Sequence, residues 1–165
     1  MLIPLINEEL SSKELEFEII IVDDNSEDGI EKVVDVYKKQ GVKIDLYIRT
    51  GYRGLSTAVI FGMNKANGEI LVCMDGDLSH NPKYLPTIIE QFNNSAVDFV
   101  IGSRFIKGGV IEEGWGFYRY LNSKIATLLS RPLVSQITDP MSGYFAIQKK
   151  KFLCASHLVP LGYKI

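Results

Sequence analysis

An α/β fold, with helices on both faces of a mostly parallel sheet, is predicted by three observations. Runs with strand character alternate with stretches of helical spacing. Glycines close several of the helical stretches, and a polar cluster follows each strand-like run. Alternation of this kind implies right-handed crossovers and a three-layer α/β/α arrangement, in which ligands bind beyond the carboxyl ends of the strands.

In chain order, Glu18 to Val22 is a short β-branched run. Ile30 to Gln40 spaces Ile30, Val33, Val36 and Tyr37 as a helix, stopped by Gly41. Lys43 to Arg49 alternates through Ile44, Leu46 and Ile48 as a strand does. Ser56 to Asn67 is helical, with Leu55, Val59 and Met63 on one side and Gly68 behind it. Glu69 to Met74 reads as a buried strand, Lys83 to Phe92 as a helix opened by Pro82, and Val97 to Gly102 as a further strand. Residues 103 to 117 are glycine-rich and predict a loop, after which Tyr118 to Leu129 resumes helical spacing through Leu121, Ile125 and Leu128.

Composition fits one soluble globular domain spanning 1–165. The chain has 165 residues, 46% of them apolar, with 18 basic and 20 acidic side chains. Disorder, collagen-like repeats and a disulfide scaffold are excluded. The two cysteines, Cys73 and Cys154, lack the spacing of a metal or redox motif, so a reducing, cytoplasmic setting is expected. No apolar run is long enough to cross a bilayer, and no signal-peptide pattern opens the chain. Charge is uneven: from Gly114 to Ile165 there are seven basic residues and only Asp139 as an acid, a net of +6 against −8 before it. Such a basic end suits an anionic partner, either a membrane surface or a phosphorylated ligand, and equally suits a solvated face.

Four polar clusters follow the four strand-like runs: Asp23 and Asp24, Arg49 to Arg53, Asp75 and Asp77, and Ser103 and Arg104. One shared site explains them better than four unrelated loops. In Asp75-Gly76-Asp77 the central glycine lets both carboxylates face one hard cation, Mg²⁺ or Mn²⁺, which favours diphosphate oxygens as further ligands; a turn with two solvated acids is the alternative. Asp24 to Gly29 resembles the start of a calcium loop, but a strand precedes it and Glu31 occupies an apolar place, so that reading is rejected. Asp24 is left either as a cap on the following helix or as an acceptor for a nucleobase or ribose. Arg53, Arg104 and Arg119 can clamp phosphate oxygens or serve as surface ion-pair partners. His80 reads as a turn residue, and neither it nor His157 fits a metal-ligand pattern. Neither a P-loop nor a dinucleotide fingerprint occurs, and no nucleic-acid partner is expected. The aromatics Trp115, Phe117, Tyr118 and Tyr120 beside Arg119 lead into a stretch that either lies on a membrane interface or packs on the sheet.

In family order, the segments PLINE from Pro4, IIIVDDNSEDG from Ile19, GLSTAVIFGMNKANGEI from Gly54, MDGDLSHNP from Met74, GSRFIKGGV from Gly102, Trp115 with FYRYLNSKIA from Phe117, and DPMSGYFAIQKK from Asp139 resemble the inverting family 2 glycosyltransferases. The resemblance is strongest to the dolichyl-phosphate or polyprenyl-phosphate mannosyltransferase group and implies the nucleotide-diphospho-sugar transferase (GT-A) fold. It implies that Pro4, Glu8, Val22 and Asp24 hold the nucleoside, with Ile6 where relatives often carry a base-stacking aromatic, and that Asp75, Gly76 and Asp77 border ribose and diphosphate. By the same resemblance Asp77 is the principal metal ligand with Asp75 and Ser79 assisting, Arg104 and Arg119 meet the donor diphosphate and the lipid phosphate, and Ser123 bonds the latter. Against that family Met1 starts almost inside the expected first strand, little room for a helix separates Glu8 from Phe17, and the C-terminal end is expected to be cut short. The expected setting is peripheral, at the cytoplasmic face of a membrane, with a spanning segment absent from this chain as an alternative.

A mechanistic point bears on the acceptor. A sugar hydroxyl needs a general base, whereas a phosphate monoester, with a second pKa of about 6, is already anionic near neutral pH. A last third with a single acid suits the phosphate acceptor. The alternatives are a glycan hydroxyl acceptor, a remnant that only binds nucleotide sugar, and, from another class, a phospho-acceptor receiver domain. In the receiver Asp75 would be phosphorylated, with Asp23 and Asp24 holding Mg²⁺ and Ser103 as the switch hydroxyl. No Lys-Pro follows a fifth strand as a receiver requires.

Overall fold

The computed structural model describes residues 1–51, 53–105 and 137–155. They fall into two compact units, Met1–Ile6 with Val72–Ile147, and Asn7–Leu71 with Gln148–Ile165.

In the second of these, β1 (Ile19–Asp23) and β2 (Ile44–Ile48) pair in parallel, from Ile19 opposite Ile44 to Asp23 opposite Ile48. Helix α2 (Ile30–Lys39) connects them and buries Val34. Gly41 ends the turn that follows in the left-handed region, φ 85°, where a side chain would be strained. Helix α3 (Leu55–Lys65) packs closely on β1: a Cβ on Gly62 would lie 3.1 Å from Val22 Cγ2. Behind it, the Glu18 carboxylate accepts hydrogen bonds from the Asn67 and Gly68 N–H groups and the Asn67 amide. Burial pushes the Glu18 carboxyl up, but these donors outweigh it and leave the group below its ordinary value. The Lys149 ammonium donates to the Ala66 carbonyl at 2.7 Å, a cation at the C-terminal end of α3, where the helix dipole favours it.

The three-stranded sheet runs in the order β3 (Ile70–Cys73), β5 (Phe145–Gln148), β4 (Phe99–Ile101). Strands β4 and β5 are antiparallel, with Phe99 opposite Ile147 and Ile101 opposite Phe145. Helix α4 (Leu85–Glu90) buries Leu85 and Ile88, and α5 (Lys149–Cys154) follows β5 directly.

The α/β class and the early helices and strands follow the sequence reading to within two residues at most ends. Three features differ. Residues 2–11 form a helix, α1 (Leu2–Ser11), instead of an opening strand. Ile3, Ile6 and Leu10 are its buried residues, a helical spacing, and Pro4 falls in the first turn, where a missing N–H forfeits no bond. The single helix expected from Lys83 to Phe92 is a 3₁₀ turn (Pro82–Tyr84), α4, and another 3₁₀ turn (Gln91–Asn93). Pro86 cannot donate to the Pro82 carbonyl, so a continuous α-helix is not available there. Finally, β5 was not foreseen; it pairs with β4 in antiparallel fashion, beside the parallel β1–β2 pair. No helix of the described residues is long and apolar enough to cross a membrane. The expected loop after residue 105 and the helix Tyr118 to Leu129 lie outside the described residues.

Candidate active site

Asp75-Gly76-Asp77 follows β3 directly, and its carboxylates are held differently. The Asp77 Oδ1 accepts the Ser79 N–H at 3.0 Å. Hydrogen bonds from the Ser79 side chain and main chain keep the Asp77 carboxyl below its ordinary value, so it is ionised near neutral pH. Leu78, between them, is left-handed at φ 69°, a costly conformation for leucine and one found at functional turns. Asp75 is fixed through its backbone: its N–H donates to His80 Nδ1 at 2.9 Å, while its carboxylate is 41% exposed. No side chain crowds that carboxylate from residue 143, where a Cβ would stand 3.6 Å from Asp75 Oδ2; the residue is glycine. Behind the turn, burial and then the Asp75 charge push the Cys73 thiol up to about 12, so it stays protonated and inert.

These residues suit a hard divalent ion. The donors are carboxylate and hydroxyl oxygens, and among the described residues no three His, Cys, Asp or Glu side chains gather to hold a metal by themselves. Mg²⁺ and Mn²⁺ are commonly held by one or two carboxylates with substrate phosphate and water completing the shell.

The loops after β4 and before β5 interlock. Arg104 donates from Nε and a terminal nitrogen to the two Asp139 oxygens at 2.7 and 2.9 Å, and its N–H adds a third bond. Asp139 is fully buried. Thr138 donates to Ser103 Oγ at 2.7 Å, and Ser142 to the Gly102 carbonyl at 2.7 Å. Tyr144 lies so close to Gly102 that a Cβ there would stand 3.0 Å from its ring. Burial raises the Tyr144 phenol, which donates to the Asn81 carbonyl.

After β1 the arrangement is again an ion pair. Asp24 accepts from Arg49 through Oδ1 and from the Gly54 N–H through Oδ2 at 2.8 Å, and Arg49 also donates to the Gly54 carbonyl. Burial pushes the Asp24 carboxyl up, yet Gly54, Arg49 and the Arg53 charge bring it below its ordinary value. Asp24 does not cap α2. That helix starts on Gly29, with the Asp28 side chain accepting from the Ile30 N–H.

Residues 1–154 match the model of glycosyl transferase family 2. The chain belongs to this family. As a family 2 glycosyltransferase it is 41% identical over 157 residues to a dolichol-phosphate mannosyltransferase of Mycosarcoma maydis, covering 94% of this chain and 53% of that protein. It is 44% identical over 133 residues to the enzyme of the same name from Saccharomyces cerevisiae (81% of this chain, 49% of that one). To that from Pyrococcus furiosus it is 43% identical over 155 residues (92% and 43%). The chain thus spans about half the length of the curated relatives it matches. Among solved structures, a mycobacterial protein superposes with a TM-score of 0.58 at 18% identity, covering 88% of this chain and 50% of that one. Glucosyl-3-phosphoglycerate synthase of Mycobacterium tuberculosis, in complex with Mn²⁺ and UDP-glucose, gives 0.51 at 17% identity, covering 88% and 60%. These place the chain in the GT-A fold and set aside the receiver domain.

Within this glycosyltransferase, Pro4, Ile6 and Glu8 lie on α1, and Ile6 is buried. Val22 is in β1, and Arg53 reaches the Asn25 carbonyl at 3.5 Å. Arg119 and Ser123 lie outside the described residues. Sequence reading missed two partnerships, His80 with Asp75 and Asp139 with Arg104. The second had one signal, since Asp139 is the sole acid of a basic segment.

Proposed function

We propose that the chain is the catalytic part of an enzyme that transfers a sugar, mannose from GDP-mannose, to a dolichyl or polyprenyl phosphate with inversion, assisted by Mg²⁺ or Mn²⁺. The observation that carries this reading is the 41–44% identity to three dolichol-phosphate mannosyltransferases over a span that contains the Asp75 turn. In this reading Asp75 and Asp77, with Ser79, hold the cation, which when bound neutralises charge developing on the departing diphosphate. Asp77 enters the reaction ionised, and the turn orients both carboxylates, so little reorganisation precedes transfer. Asp24 serves the nucleoside by fixing Arg49 and the Gly54 backbone, together with Pro4, Glu8 and Val22, and Arg53 adds positive charge. Arg104 and Arg119 face phosphate oxygens, and Ser123 the acceptor.

The acceptor assignment has independent support. After Glu113 the only acid is Asp139, and its carboxylate is fully buried and bound to Arg104, so it is in no position to serve as a general base. An acceptor phosphate is already anionic and attacks the anomeric carbon unaided; a single in-line displacement inverts that carbon. A peripheral position on the cytoplasmic face of a membrane goes with a lipid acceptor and the basic last third. The test is release of GDP from GDP-mannose by the chain with Mn²⁺, with and without dolichyl phosphate in detergent. Release only with the phosphate is expected. GDP release with dolichol or a glycan in place of the phosphate, or release of UDP from UDP-glucose with none of GDP from GDP-mannose, would overturn the assignment.

A further inference from the structure

The Asp75 turn rests on a side chain that no reading of the motif assigns a task. His80 Nδ1 accepts the Asp75 main-chain N–H at 2.9 Å, and an accepting ring nitrogen carries no proton. The imidazole proton is therefore on Nε2, 3.7 Å from Asp75 Oδ2. One ring thus addresses both ends of one residue. The ring itself is 14% exposed and stacks on Tyr144 at 4.9 Å between centroids and 15° between planes. Tyr144 is fixed in turn by its phenol on the Asn81 carbonyl and by the absence of a Cβ at Gly102. A continuous stack, Gly102 to Tyr144 to His80, ends on the backbone of Asp75.

We infer that His80 is a positioning residue for the cation-holding turn, acting as a main-chain hydrogen-bond acceptor that aims the Asp75 carboxylate while Tyr144 fixes its ring. The inference rests on the proposed role of Asp75 and assigns to His80 no contact with substrate. An acceptor role and a purely packing role make opposite demands. His80→Asn keeps an acceptor near the Nδ1 position and loses the ring, whereas His80→Phe keeps a ring against Tyr144 and loses the acceptor.

The experiment is titration calorimetry of Mn²⁺ into the chain with GDP present, and UDP in parallel. Outer partners of metal ligands are typically worth about 10- to 100-fold in affinity, so His80→Phe is expected to weaken Mn²⁺ at least about 10-fold and His80→Asn to stay within about 3-fold. Affinity in the Phe variant equal to the unaltered chain, or an Asn variant as weak as the Phe variant, would overturn the inference. Should the Phe variant not fold, as circular dichroism would reveal, His80→Ala read against His80→Asn gives the same contrast. Absence of Mn²⁺ binding by the unaltered chain with either nucleotide would overturn the proposed function as well, whereas binding that ignores residue 80 overturns this inference alone.

Discussion

Asp24 and Asp75 both come after strands, β1 and β3, and each lies in a turn that holds a left-handed residue, Asn25 at φ 60° and Leu78 at φ 69°. They are held by opposite means. Asp24 has its carboxylate engaged by Arg49 and Gly54, so its charge is consumed in fixing the loop after β2. Asp75 is gripped by its main chain, through His80, and keeps its carboxylate toward solvent. The Asp24 carboxylate thus builds structure, and the Asp75 carboxylate is available to a ligand. Residue type and strand-end position do not distinguish the two; hydrogen-bond partners do.

The largest expected effect breaks or confirms that contrast. Asp77→Ala should reduce metal-dependent donor binding by about 100-fold or more in a Mn²⁺ and GDP titration, as expected for loss of a charged ligand. Asp24→Asn should instead lower folding stability and leave the Mn²⁺ requirement in place; equal loss of Mn²⁺ affinity in both variants would erase the distinction. Next in size is Asp139→Ala, which leaves Arg104 without its buried counter-charge. It is expected to cost about 3 kcal/mol in urea unfolding, the low end for a buried pair because the Arg104 side chain is partly exposed. Gly102→Ala drives a methyl into the Tyr144 ring and should cost about 1–2 kcal/mol. If the ring stack supports Asp75, the same variant weakens Mn²⁺ binding, while a substitution at the similarly tight Gly62 contact does not. Smallest is the acid response. Asp24, Asp77 and Glu18 all titrate below their ordinary values in the folded chain, so their stabilisation is full above the unfolded carboxyl pKa of about 4 and is lost as pH falls through the folded values. Unfolding followed from pH 6 to pH 3 should show stability falling, less steeply in Asp24→Asn.

What the sequence discloses is what local periodicity encodes. Ile44, Leu46 and Ile48 alternate, Val33 and Val36 recur on a helical stripe, and Gly41 stops α2, so β1 to β3 and their helices were legible. The opening helix was obscured because Leu2 to Ile6 is short, apolar and contains Pro4, features that also suit a strand. Strand β5 was hidden because Phe145 to Gln148 owes its place to pairing with β4, more than forty residues earlier, a contact no window of sequence contains. Site residues divide in the same way. Asp75 and Asp77 are visible as a motif, but His80 acts by accepting a hydrogen bond from a main-chain N–H, which leaves no trace in residue type. Arg104 and Asp139 are 35 positions apart, and only the scarcity of acids around Asp139 hinted that it had a particular partner.

That last pairing has a consequence for chain connectivity. With the Ser103–Thr138 bond and the β4–β5 ladder beside it, it ties residues 99–104 to residues 138–147, as a crosslink would. The Asp75 turn, which leans on Tyr144 through the His80 ring, is therefore anchored by bonds made between these two short segments.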